Sequence, residues 1–210
     1  MKRVVYALAL SLAFAAPAAA HHGKDFLLAE SAELPHPKTM FFVSSERFSN
    51  SEFTSEPSLL FGITPNFAGE VHVHFTRDGY QAVAPAIHVQ LPSLAAWNFG
   101  ASAEYEIARE HEDNAFHALL IAARPIGEGQ IVINAGTDAA YAVGYRPDME
   151  SHTSWGIEAQ GQLRHGEEHQ LIFGLYTQPM ERLTIKVGAG AILGTGKPGA
   201  VLRTGIVWSF

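Results

Sequence analysis

Histidine is the residue whose abundance first suggests chemistry, with 11 in 210 positions. His72 and His74 stand at i, i+2. In a strand that spacing puts both imidazoles on one face, about 6.6 Å apart along the chain. His88 follows on the next polar-faced run, beside Gln90. Imidazole is the commonest protein ligand for zinc, copper and nickel, so His72, His74 and His88 form a candidate transition-metal site. The competing reading is three neutral, hydrated side chains filling space. A second constellation is charged: Glu104, Glu106 and Glu158, with Gln160, fall on the same polar faces as Lys186 and Arg203. Such a set can act as an electrostatic constriction that selects solutes or as a salt-bridge network that fills a narrow interior.

Nucleophilic catalysis needs a serine and histidine with an orienting partner. The candidates are Ser151, His152, Ser154, His165 and His169, and no nucleophile motif surrounds either serine. His165 and His169 are spaced by four, which shares a face only on a helix, and Gly166 between them marks a hairpin loop. No enzyme activity is therefore expected. The pair His21-His22 reads as a tail with at most weak chelating power.

The elements that must carry these side chains are strands. Beyond residue 20, period 2 recurs throughout and the helical period is nearly absent. The clearest run is the last one. Ala200, Leu202, Thr204, Ile206, Trp208 and Phe210 alternate with Val201, Arg203, Gly205, Val207 and Ser209. Similar alternation marks Leu183–Ile192, Trp155–Leu163, Trp97–Ile107 and the stretch from Glu70 to Thr76. Gly79 to Ala103 carries no Asp, Glu, Lys or Arg, a length that could span a membrane as a helix. Its prolines and alternating polar residues make it two strands and a turn instead. Turn-forming clusters then delimit twelve strands, over residues 38–48, 54–63, 69–77, 81–91, 95–109, 115–124, 129–137, 139–147, 152–163, 168–177, 181–192 and 199–209.

Composition bounds the setting. Residues 1–20 begin with Lys2 and Arg3, continue apolar and end in Ala18-Ala19-Ala20, the pattern of a secretory signal peptide. Its removal leaves 190 residues with 12 basic and 21 acidic side chains, a net charge of −9. That acidity argues against a nucleic-acid partner. Without cysteine there is neither a disulfide framework nor thiolate chemistry.

Alternation alone does not separate a soluble β-sandwich from a membrane barrel. Three features favour the barrel: a terminal strand closing on Phe210, a mixed polar face of small and charged residues, and Trp97, Trp155 and Trp208 on one rim. The run Arg203-Thr204-Gly205-Ile206-Val207-Trp208-Ser209-Phe210, together with the signal peptide, resembles Gram-negative outer-membrane β-barrels. Within that superfamily, Glu56-Pro57-Ser58-Leu59-Leu60-Phe61-Gly62-Ile63-Thr64-Pro65-Asn66-Phe67 is similar to a strand–turn element of transporters of the meta-pathway phenol-degradation type. The resemblance implies that Trp208 and Phe210 form the signal read by the barrel assembly machinery.

The expectation is thus an all-β, closed, antiparallel up-and-down transmembrane barrel of about 12 strands, over residues 38–210, in outer-membrane lipid. Residues 21–37 are expected as a periplasmic segment packed at the barrel mouth, with a lumen plug or an extra edge-covering segment as the alternatives. The function expected is a monomeric passive pore or transporter-like protein for a small solute, without a cofactor. The alternatives are a non-conducting metal-binding barrel and a soluble periplasmic sandwich.

Overall fold

The computed structural model describes residues 25–49, 52–109, 113–164, 167–194 and 198–210. The predicted signal peptide, His21-His22 and His165 lie outside the described residues. Thirteen strands follow one another: β1 (Met40–Ser49), β2 (Glu52–Ser55), β3 (Ser58–Thr64), β4 (Phe67–Thr76), β5 (Gly79–Leu94), β6 (Trp97–Ala108), β7 (Ala115–Ile126), β8 (Gly129–Gly136), β9 (Ala140–Arg146), β10 (Thr153–Gln162), β11 (His169–Met180), β12 (Leu183–Leu193) and β13 (Gly199–Ser209).

Each pairs antiparallel with its neighbours, and β13 returns to pair with β1 from Phe41↔Ser209 to Ser49↔Val201. The sheet is closed, so no edge is left unpaired in lipid. β2 and β3 both lie between β1 and β4 and act as one broken stave. The break falls at Pro57, which has no N–H to give to the ladder. Around it, Glu56 N donates to Ser45 O (2.9 Å) and Val73 N to Pro57 O (2.9 Å). The barrel therefore has the twelve staves that the alternation predicts, with 54–63 interrupted. Residues 129–147 are two strands joined at Thr137–Ala139. The turn expected between strands 81–91 and 95–109 lies at Ala95-Ala96, both with positive φ, because β5 runs on to Leu94.

The direction of alternation decides the solvent. Leu59, Phe61 and Ile63 on β3, Leu171, Phe173 and Leu175 on β11, and Leu202, Ile206 and Trp208 on β13 are all exposed on the outer wall. Their alternates Leu60, Ile172, Tyr176, Val201 and Val207 are buried inside. A water-soluble sandwich would hide the first group between sheets. An outer face of this kind belongs in acyl chains, and staves of ten to twelve residues tilted at ~45° span roughly 23–28 Å. The protein is a transmembrane β-barrel.

β1 begins and β13 ends at one rim, where Ala95-Ala96, Gly127-Glu128 and Glu181-Arg182 make tight turns. The longer β6–β7 and β10–β11 connections leave from the ends of those strands at the other rim. Short turns face the periplasm in bacterial barrels. Trp97, Trp155 and Trp208 all sit at that rim, with Trp155 stacked on Phe173 (5.9 Å) and Trp208 on Phe210 (6.3 Å). One carboxylate breaks the pattern. Glu46 shares the outward face with Phe48 and Leu202 and is held by the hydroxyls of Ser44 and Thr204.

Candidate functional site: the lumen and its N-terminal segment

The lumen is not lined by polar residues alone. Phe41, Val43, Leu60, Ile121, Val132, Ile172, Val201 and Val207 point inward and are buried. What covers them is the N-terminal segment. It runs inside the barrel and is not confined to the periplasmic mouth, where the sequence places it. Phe26, Ala29 and Ala32 pack on Ile121, Ala123, Val132 and Ala142. Leu27 packs on Ile172, Tyr176, Ile192 and Val201, and Leu34 against Phe41, Leu60, Ala68 and Val207. A segment touching strands on all sides of a closed sheet can only lie within it. Two glycines make room. A Cβ at Gly144 would stand 2.6 Å from the Phe26 ring, and one at Gly62 2.2 Å from His36 O.

Polar anchoring is concentrated on one side. The fully buried Glu158 carboxylate accepts the backbone N–H groups of Leu27 (2.8 Å), Leu28 (2.6 Å) and Ala29 (3.0 Å) and the Tyr176 hydroxyl. Asn134 acts as a surrogate strand. Its Oδ1 accepts Glu30 N (2.7 Å) and its Nδ2 donates to Glu30 O (2.9 Å). Lys186 Nζ donates to Phe26 O (2.7 Å) and Arg146 to Asp25 O (2.9 Å). The Arg146 guanidinium also lies 4.2 Å from the Tyr176 ring centroid. Together these satisfy backbone groups that a buried loop would otherwise leave orphaned.

The opposite wall carries a ladder of carboxylates and imidazoles. Ser58 Oγ donates to Glu70 (2.6 Å), whose other oxygen meets His88 Nε2 (2.8 Å) and His72 Nε2 (3.3 Å). His72 Nε2 also lies 3.4 Å from Glu104, and His88 Nδ1 3.7 Å from Glu30. Further outward, His74 Nδ1 is 3.9 Å from Glu56, and His117 Nε2 is 3.9 Å from Glu106. β4 and β6 are separated by β5, about 9.5 Å in all. Their side chains meet because β5 presents only Ala82, Ala84 and Ala86 inward between them, all buried. Between this wall and the segment lies a cavity of about 250 Å³, bordered by Glu56, His72, His74, Glu104, Lys186 and Arg203. A second of about 230 Å³ lies beyond Glu104, against His117, Asp138 and Gln162.

The residues singled out in the sequence are thus distributed over three places. Glu104, Gln160, Lys186 and Arg203 border the larger cavity, with Arg203 donating to Gln170 Oε1 (3.0 and 3.2 Å). Glu158 lies beneath the segment, out of that cavity. Glu106 faces His117. The imidazoles of His72 and His74 are neighbours (6.2 Å between centroids), but His88 turns to Glu70 and Glu30. Among the described residues the one set of three converging ligands is His74, Glu104 and Glu106. The serine and histidine candidates are scattered. Ser154 is buried against Arg146 (2.7 Å), Ser151 caps the Asp148 turn, and His169 meets Tyr141 (2.9 Å) at the other rim.

The sequence favours the mouth over the lumen for this segment, although the lumen seat had a signal of its own. The available signal was doubly apolar strand sequence: Phe41-Phe42-Val43, Leu59-Leu60-Phe61, Ile131-Val132-Ile133 and Leu171-Ile172-Phe173. A stave apolar on both faces has something apolar inside.

No protein-family model matches the chain, and no curated protein matches it significantly in sequence. Solved structures do share its fold. The KdgM porin superposes with a TM-score of 0.65 at 8% identity, covering 81% of this chain and 99% of the porin. An outer-membrane channel from Pseudomonas putida F1 gives 0.59 at 13% identity, over 85% and 98%. The NanC porin gives 0.59 at 7%, over 80% and 98%. The chain is similar in fold to outer-membrane porins and channels; these matches do not show the resemblance to phenol-degradation transporters.

Proposed function

We propose that the protein is a narrow outer-membrane pore for a small polar solute, kept closed by its own N-terminal segment. The observation that carries this reading is the pairing of a charged, hydrated cavity with an inserted segment. A barrel built only as a filled scaffold has no use for a cavity of about 250 Å³ lined by Glu56, Glu104, Lys186 and Arg203. Displacing residues 25–34 would join that space to the periplasm. The porin of similar fold solved with oligogalacturonate takes a polyanion. Here the carboxylates of Glu30, Glu56, Glu70 and Glu104 line the cavity, and a neutral or cationic solute suits them better. Glu104, Gln160, Lys186 and Arg203 would set the selectivity. The reading includes a monomer whose Trp208 and Phe210 address the barrel assembly machinery. Phe210 N donates to Met40 O (2.9 Å), so the last residue helps close the barrel.

Planar-bilayer recording tests the proposal. The intact chain is expected to give rare, brief current steps, and a deletion of residues 25–34 sustained, cation-preferring ones. A deletion variant that still shifts on heating in detergent gels, as folded barrels do, yet never conducts would end the pore reading.

A further inference from the structure

We propose that His74, Glu104 and Glu106 bind one divalent first-row transition ion in the lumen. The site does not depend on conduction and exists in the closed barrel. Three observations meet at it. First, one donor atom from each residue lies within 4.8 Å of the others, the only such set among the described residues. A modest inward movement would bring all three to the ~2.0–2.2 Å bonds that nitrogen and carboxylate oxygen make to zinc. The convergence is built into the fold, since it spans the alanine stripe of β5.

Second, the two carboxylates lack a permanent cation. Among the described residues, Glu104 and Glu106 pair only with imidazoles, His72 and His117. Two carboxylates stand at i, i+2 on one strand face, mostly withdrawn from water (side-chain exposure 22% and 27%), where one cation can bridge them. Third, His74 Nε2 is buried without a hydrogen-bond partner, while its Nδ1 faces Glu56. An orphaned imidazole nitrogen with a carboxylate behind the ring is the arrangement of a ligating histidine and its orienting partner.

The donor set defines the ion's class. Magnesium and calcium prefer all-oxygen shells of six or more ligands. One imidazole with two carboxylates, leaving room for water, suits zinc and its first-row neighbours. His72, beside Glu104, is placed to orient that carboxylate rather than to bind the ion directly.

The test uses the full chain refolded in detergent and checked by its heat-modifiable mobility. Equilibrium dialysis with Zn²⁺ is expected to show one ion per barrel that millimolar Mg²⁺ does not displace. His74→Ala, Glu104→Gln and Glu106→Gln should each weaken binding at least roughly tenfold. Each should also abolish the visible absorption band that Co²⁺ gains in the site. His152→Ala, at the β9–β10 turn, should leave both signals intact, and so should His21→Ala/His22→Ala. Any of the three lumen variants binding Zn²⁺ as tightly as the unmodified chain overturns the assignment, as does loss of the ion in His21→Ala/His22→Ala. Where one lumen variant fails to reach the folded mobility, the other two decide.

Discussion

The two walls of the lumen use the same residue type to opposite ends. On the wall formed by β8 to β12, Glu158 is fully buried and accepts four donors, three of them backbone N–H groups of the inserted segment. On the wall formed by β4 to β6, Glu104 and Glu106 are partly hydrated and meet only imidazoles. Glu158 behaves as a peptide-binding clamp, because its lone pairs are committed and a charged acceptor strengthens each bond. Glu104 and Glu106 keep their lone pairs available. What distinguishes the two kinds of carboxylate here is the list of partners, not burial alone.

The sharpest way to break that contrast is to remove the clamp. Glu158→Ala leaves three segment N–H groups and the Tyr176 hydroxyl without their acceptor, at about 1–3 kcal/mol each where water cannot enter. A combined loss on the order of 3–5 kcal/mol is expected, read as a lower urea midpoint and as protease cleavage within residues 25–37 of a still-folded barrel. Glu104→Gln on the other wall should shift the midpoint by less than about 1 kcal/mol. Equal effects from the two substitutions would erase the distinction between the walls.

A second variant sharpens it from the other side. Ala84 is completely buried between the histidines of β4 and the carboxylates of β6. Ala84→Leu would wedge the two strands' side chains apart and cost about 1–3 kcal/mol in overpacking. The segment is expected to stay protected from protease, while zinc binding is lost. If zinc affinity survives, the alanine stripe is not what brings His74 to Glu104 and Glu106.

The same contrast explains which parts were legible in the sequence. The barrel was readable because its outer face repeats a single instruction, apolar toward lipid, broken on β1 by Glu46; Leu171, Phe173 and Leu175 say it as clearly as Leu202, Ile206 and Trp208. The polar ladder was half readable. The i, i+2 spacing put His72 and His74 on one face, but which of Glu104, Glu106 or His88 would reach them depended on register across β5. That register was not in the local pattern, since Ala82, Ala84 and Ala86 look like ordinary filler. The segment's place was least readable. Residues 25–37 carry no strand periodicity, and their binding is written elsewhere in the chain, in Asn134, Arg146, Glu158 and Lys186 and in the gaps at Gly62 and Gly144.

The smallest effect asks whether the clamped wall extends to its periplasmic turn. Asp148 links β9 to β10, the strands that carry Arg146 and Glu158. Its carboxylate accepts the Ser151 hydroxyl, Ser151 N (2.8 Å) and Glu150 N (2.9 Å). The Ser151 hydroxyl, then its N–H, hold Asp148 below the ordinary aspartate range, with a smaller contribution from the Arg146 charge. A depressed folded value means the turn's stabilisation is complete above the ordinary aspartate pKa, near 3.9. It fades as pH falls through the lower folded one. Hydrogen exchange of the Glu150 and Ser151 amides should therefore accelerate, relative to its intrinsic rate, only below about pH 4. Asp148→Asn should abolish that acid step while leaving the segment's protection unchanged. Should Asp148→Asn also release residues 25–37, the turn belongs to the clamp, and the division between the walls would run down to the rim.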